Sequence, residues 1–93
     1  MKVSAITLEF GASVKGLRQR LGLSQEALAK RAGLHRTYIV EVEGGGRNVT
    51  LKTMERLARA LEVSIATLLM QIGAPMLPTE PGNRASTAGK LDN

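Results

Sequence analysis

The chain has 93 residues, which suffices for one domain with a modest core. Its 13 Lys and Arg outnumber 8 Asp and Glu, and residues 1–72 hold 11 of the basic and 6 of the acidic side chains, a surplus that fits nucleic acid but also many ordinary soluble proteins. With no cysteine and no apolar run near the ~20 residues of a membrane span, the composition excludes disulfides and thiolate metal sites and favours a soluble cytoplasmic protein.

Helical spacing of apolar residues recurs from the N-terminus, and no strand pattern competes with it, so we expect an all-α fold with five helices over residues 1–72. The first helix, at about 7–21, has its apolar face at spacings of four, three and four: Phe10, Val14, Leu17 and Leu21. The second begins at the cap Ser24 and turns three residues inward: Ala27, Leu28 and Ala32. Gly33 then suits the positive φ of a tight turn.

Three more helices follow. One runs from about Arg36 to Glu43 and stops at the Gly44–Gly46 run. Thr50 can cap the next, whose apolar face is Leu51, Met54, Leu57, Ala58 and Leu61. Ser64 can cap the last, with the apolar face Ile65, Leu68, Leu69 and Ile72. Residues 73–93 hold all three prolines and few large apolar side chains, which predicts a mobile tail or a segment that a partner orders.

The segment 24–43 has the layout of a helix-turn-helix: a short helix, a turn containing Gly33, and a second short helix. At 100° per residue, Ile39 and Val42 face the core and Tyr38 lies on the boundary. The outward face carries Arg36, Thr37, Val40 and Glu41. Such a face can be merely solvated, or it can read bases in a major groove, where Arg suits guanine and Val a thymine methyl.

The stretch from Leu17 to Leu69, LRQRLGLSQEALAKRAGLHRTYIVEVEGGGRNVTLKTMERLARALEVSIATLL, resembles the xenobiotic-response-element family of Cro/C1-type (lambda-repressor-like) helix-turn-helix domains. GLSQEALAKRAGL is similar to the second helix and turn of that family, and LARALEVS to its fourth helix and the following cap. HRTYIVEVEGGGRN further resembles the controller proteins of restriction-modification systems.

The resemblance implies a transcriptional regulator that binds double-stranded DNA as a homodimer on a palindromic operator, with the third helix in the major groove. The residues that would face bases are Arg36, Thr37, Val40 and Glu41. Those that would contact phosphates are Gln25, Tyr38, Arg47, Asn48 and Lys52. Arg18 and Glu43 would form an internal ion pair that orients the recognition helix.

Helix five supplies a separate argument for a dimer, since its apolar stripe is wider than one core-facing helix needs. The predicted interface consists of Ile65, Leu68, Leu69 and Ile72. The alternative is a helix buried within a larger monomer core.

Three positions depart from the family pattern. His35 stands where Ser, Thr or Asp would cap the third helix, and without Cys or a second His it is no metal ligand. Glu41 is acidic on a face meant for DNA, so it could accept from cytosine N4, restrain Arg36, or repel phosphates. The triple glycine is either a flexible loop or a helix stop, and we favour the stop.

Two other functions compete. An antitoxin or partner-binding module could use the same DNA-binding domain and hold a second protein with residues 73–93. An enzyme has little support, because one His, no Cys and a lone Asp92 form no catalytic set, and the glycine run lacks the Lys-Ser/Thr of a phosphate-binding loop. We expect no cofactor, no metal and no small-molecule ligand.

Overall fold

The computed structural model describes residues 3–70, which form five α-helices and, over that range, no strand. The helices are α1 (Ala5–Arg20), α2 (Gln25–Ala32), α3 (Arg36–Glu43), α4 (Leu51–Ala60) and α5 (Ile65–Met70). The expected all-α, five-helix architecture is confirmed. None of the helices between residues 3 and 70 combines the length and the hydropathy that a membrane-spanning segment needs. The predicted tail, 73–93, lies outside the described residues.

Hydroxyl side chains set the starts of four helices. The predicted caps Ser24, Thr50 and Ser64 each accept a backbone N–H three residues on, at 3.0–3.1 Å. The first helix begins earlier than predicted, at Ala5, because Ser4 and Thr7 form a reciprocal capping box.

The core lies between the five helices, and each of them contributes buried apolar side chains to it. Its members are apolar residues that are almost fully buried: Phe10, Val14, Leu17, Leu28, Ala29, Ala32, Ile39, Val42, Leu57, Ala58, Ala60, Leu61 and Leu68. The predicted burial is wrong for two residues. Leu21 is 40% exposed because it follows the last residue of α1, and Leu51 is 70% exposed because the first turn of α4 extends beyond the core.

Backbone-to-backbone contact joins α1 to the end of α3. A Cβ at Gly11 would collide with the Val42 carbonyl oxygen and lie 2.8 Å from that of Glu43. Only a residue without a side chain permits this approach. The C-terminal turn of α3 is therefore seated directly on the α1 backbone.

Candidate nucleic-acid interface

The turn between α2 and α3 is built as the sequence predicts. Gly33 adopts a left-handed conformation (φ 70°), and the Leu34 N–H donates to the Ala29 carbonyl at 2.9 Å, which closes the C-terminal turn of α2. Leu34 is half-buried and packs against the core. The helix-turn-helix predicted at 24–43 is thus present, with α2, the turn at Gly33 and α3.

Helix α3 divides into the two faces that its periodicity predicts. Ile39 and Val42 are 0% and 1% exposed, and Tyr38 is half-buried at the boundary. The opposite face is exposed to solvent and consists of Arg36, Thr37, Val40 and Glu41. At the start of α3, His35 makes no side-chain capping hydrogen bond within the described residues, so packing rather than a cap stabilises this end of the helix.

A buried ion pair fixes the far end of α3. Arg18 Nε and Nη2 donate to the two carboxylate oxygens of Glu43 at 2.6 and 3.0 Å, and Arg18 Nη1 donates to the Leu23 carbonyl at 2.8 Å. The two side chains are only 11% and 4% exposed. A bidentate arginine–carboxylate pair of this kind makes two charge-assisted hydrogen bonds, which are strong and fix the relative orientation of the two side chains. The pair therefore ties α3 to α1 and to the segment that leads into α2.

Gln25, at the first position of α2, joins the same cluster. Its Nε2 donates to Glu43 Oε1 at 3.1 Å. This contact was not predicted, because nothing in the local spacing connects residues 18 positions apart. An amide nitrogen carries two N–H groups, so one remains for another acceptor. The side chain that the family pattern assigns to a phosphate is thereby held by the carboxylate that anchors α3.

The glycine run after α3 ends the helix, as we favoured, and it packs against α1 and α3. Gly45 has φ 81°, and a Cβ there would lie 2.8 Å from the Leu8 side chain. The Gly46 N–H donates to the Glu41 carbonyl at 2.8 Å. The loop therefore turns back over α3 along a defined path.

That path brings Arg47 onto the exposed face of α3. Arg47 Nε donates to Glu41 Oε1 at 2.7 Å, and the guanidinium lies 4.9 Å from the centre of the Tyr38 ring. One of the three roles left open for Glu41 was to restrain Arg36, but within residues 3–70 its carboxylate pairs with Arg47. Asn48 and Lys52 are exposed on the adjoining loop and the start of α4.

Helix α5 departs in part from its predicted role. Leu68 is 0% exposed, and the Ser13 hydroxyl donates to its carbonyl at 2.7 Å, so this residue belongs to the core of the chain. Leu69 and Met70 are 36% and 70% exposed, and Ile65 is half-buried beside the exposed Leu51. Ile72 lies outside the described residues.

Helices α2 and α3 form a helix-turn-helix whose second helix is fixed by the Arg18–Glu43 ion pair and exposes one face to solvent. This arrangement is that of a helix-turn-helix DNA-binding protein. The helix-turn-helix family model matches residues 14–68, more than half of the chain. The chain is 51% identical over 61 residues to control protein C.SmaI of Serratia marcescens, covering 66% of this chain and 73% of that protein. It is 45% identical over 65 residues to control protein C.BamHI of Bacillus amyloliquefaciens, covering 69% and 80%.

Among solved structures, the restriction-modification controller protein C.AhdI from Aeromonas hydrophila superposes with a TM-score of 0.69 at 43% identity, over 70% of this chain and 98% of that one. The chain belongs to the Cro/C1-type helix-turn-helix family. It is a DNA-binding transcriptional regulator.

Proposed function

We propose that this regulator binds a two-fold operator as a homodimer, with α3 of each protomer in the major groove. The observation that carries the proposal is the outward face of α3, which is exposed while the opposite face is buried and the helix end is locked by Glu43. Base readout in the major groove requires an exposed helix face whose position is fixed by the rest of the domain.

Base recognition is assigned to the outward side chains of α3. The Arg36 guanidinium can form a fork with guanine O6 and N7, and the 40%-exposed Val40 can meet a thymine methyl. The Thr37 hydroxyl can both donate and accept, so it can bond an acceptor or a donor on a base edge. Glu41 shares this face, but its carboxylate already accepts from Arg47.

Phosphate contacts are assigned to polar groups that flank α3. Gln25 lies at the N-terminus of α2, where backbone N–H groups favour an anion, and Tyr38 borders the exposed face. The remaining members lie in the loop and the start of α4: Arg47, Asn48 and Lys52. Contacts of this kind set the register on the duplex without reading its sequence.

The dimer face is assigned to exposed apolar surface at α5 and the adjoining start of α4. Leu69 and Met70 are exposed on α5, and Leu51 and Ile65 supply the apolar part of a shallow groove whose charged rim is Lys52 and Glu55. Contact between identical patches is the ordinary basis of a two-fold dimer. Of the interface residues named from sequence, Ile65 and Leu69 are kept and the buried Leu68 is replaced by its exposed neighbours, while Ile72, outside the described residues, stays a prediction.

We expect Leu69→Lys to shift the chain toward the monomer, because it would place a charged ammonium in an apolar contact surface, where the charge loses hydration and gains no partner. Sedimentation velocity at several protein concentrations would measure the change. Ile6→Lys is the matched control, since Ile6 is an apolar residue of α1 that is also exposed (57%) and is not among those assigned to the interface. Equal effects from both substitutions, or none from Leu69→Lys, would contradict the assignment.

The base and phosphate assignments predict different responses to alanine. Arg36→Ala should cost about 1–3 kcal/mol on the preferred duplex and relax selection at the contacted base pair. Arg47→Ala should weaken binding to all sequences to a similar extent and lower the dependence of affinity on salt by about one phosphate contact. Fluorescence anisotropy on the preferred duplex and a scrambled one, at three salt concentrations, separates these outcomes. Loss of selectivity from Arg47→Ala but not from Arg36→Ala would refute the assignment.

The relatives also suggest the biological setting. Control proteins and a restriction-modification controller protein are similar to this chain over most of their length. We therefore propose that it acts in the cytoplasm as the controller of a restriction-modification system. Mapping its bound sites on its own genome tests this, since sites next to methyltransferase and endonuclease genes are expected. Sites scattered among unrelated genes would contradict it.

A further inference from the structure

Glu41 is the acidic member of the exposed face of α3, and its surroundings suggest a role beyond contact with a base. Its side chain is 44% exposed, and it pairs with Arg47, which is 45% exposed. An exposed ion pair of this kind contributes little to folding. The pairing therefore needs an explanation other than stability.

The loop after α3 is attached to Glu41 at two points. The Glu41 carbonyl accepts from the Gly46 N–H at 2.8 Å, and its carboxylate accepts from Arg47 Nε at 2.7 Å. Leu8 supports the same loop from below at Gly45, where no side chain would fit. Successive residues of the loop are thus anchored along one side of α3.

Arg47 is also held from a second direction. Its guanidinium stacks 4.9 Å from the centre of the Tyr38 ring, three residues before Glu41 on α3. The bond from Nε is the single hydrogen bond of the Arg47 side chain among residues 3–70. A guanidinium has five N–H donors in a fixed plane, so the terminal ones remain available while the plane is held.

We propose that Glu41 is a positioning residue for DNA binding: with the Tyr38 ring it holds the Arg47 guanidinium over the recognition face, so that its terminal N–H groups meet the DNA in a preset orientation. This inference rests on the proposed function. The carboxylate that would otherwise repel phosphates is neutralised within the pair. Arg47 also gives up less side-chain freedom on binding, because that freedom is already restricted in the free protein.

The size of the effect follows from the cost of immobilising one long side chain. That cost corresponds to about two- to tenfold in affinity. Glu41→Ala should therefore weaken binding to the preferred duplex by about this factor, although it removes a negative charge. Glu41→Gln should lose less, since an amide oxygen can still accept from Arg47 Nε.

The test is a double-mutant cycle between Glu41 and Arg47, measured by anisotropy on the preferred duplex, with thermal unfolding of every variant as a folding check. The expected result is that Glu41→Ala weakens binding in the natural background and causes no weakening when Arg47 is already alanine. Equal weakening in both backgrounds would mean that Glu41 contacts a base directly, which overturns the proposal. Tighter binding in the natural background would mean that Glu41 only repels phosphates, which overturns it too. If the unsubstituted protein selects no sequence at all, the proposed function itself has failed, a result distinct from these.

Discussion

Glu43→Ala is expected to lower the free energy of unfolding by about 3–5 kcal/mol, the cost of breaking one partner out of a buried ion pair. The Glu43 carboxylate is 4% exposed and accepts from both Arg18 and Gln25. Removing it leaves the Arg18 guanidinium buried without a counter-charge. Urea unfolding followed by circular dichroism would measure the loss.

Glu55→Ala is the matched control. Glu55 also faces an arginine, Arg59, but at 4.0 Å and with side chains 55% and 81% exposed. An exposed pair four residues apart on one helix is worth little, so this variant should stay within about 0.5 kcal/mol of the unsubstituted protein. Similar losses from the two substitutions would mean that the buried pair does not anchor α3.

Gly11→Ala is expected to destabilise the domain by about 3 kcal/mol, the upper end for overpacking a core. The added Cβ would meet backbone oxygens of α3 rather than the flexible end of a side chain, so one helix must move. Because α3 carries the recognition face, the same shift should weaken DNA binding. Thermal unfolding and binding titrations on one preparation would report both effects.

Gly16→Ala supplies the comparison on the same helix. A Cβ on Gly16 meets nothing within 4 Å, and the position is exposed. Alanine there should raise the free energy of unfolding by about 0.4–1 kcal/mol, since it restricts the unfolded chain and favours helix. If alanine were tolerated equally at Gly11, the close packing of α1 against α3 would be contradicted.

Much of the fold was predictable from the sequence because its signals are local. Ser24, Thr50 and Ser64 precede helical patterns as caps do, and Gly33 interrupts the pattern where a left-handed turn is needed. The division of α3 into a buried and an exposed face followed from angular spacing alone. The ion pair between Arg18 and Glu43 was expected from the family resemblance, and the two side chains do form it, with Arg18 Nε 2.6 Å from Glu43 Oε2.

The features that were missed depend on contacts between distant parts of the chain. Leu51 and Leu68 both fit an apolar helical stripe, yet one is exposed and the other fully buried, since periodicity does not show where the core ends. The pairing of Arg47 with Glu41 required the path of the glycine loop, which Leu8 on α1 helps to set. For Gly11, an unremarkable glycine within a helix, no local signal indicated the close approach of α3.

Selection of bound duplexes from a random-sequence library should enrich one motif with two-fold symmetry. Its half-sites should be centred one helical turn (~34 Å) or a multiple of it apart. The same selection with Arg36→Ala should lose discrimination at one base pair in each half-site. Enrichment of no motif, or of a motif that Arg36→Ala leaves unchanged, would contradict recognition of DNA sequence by α3.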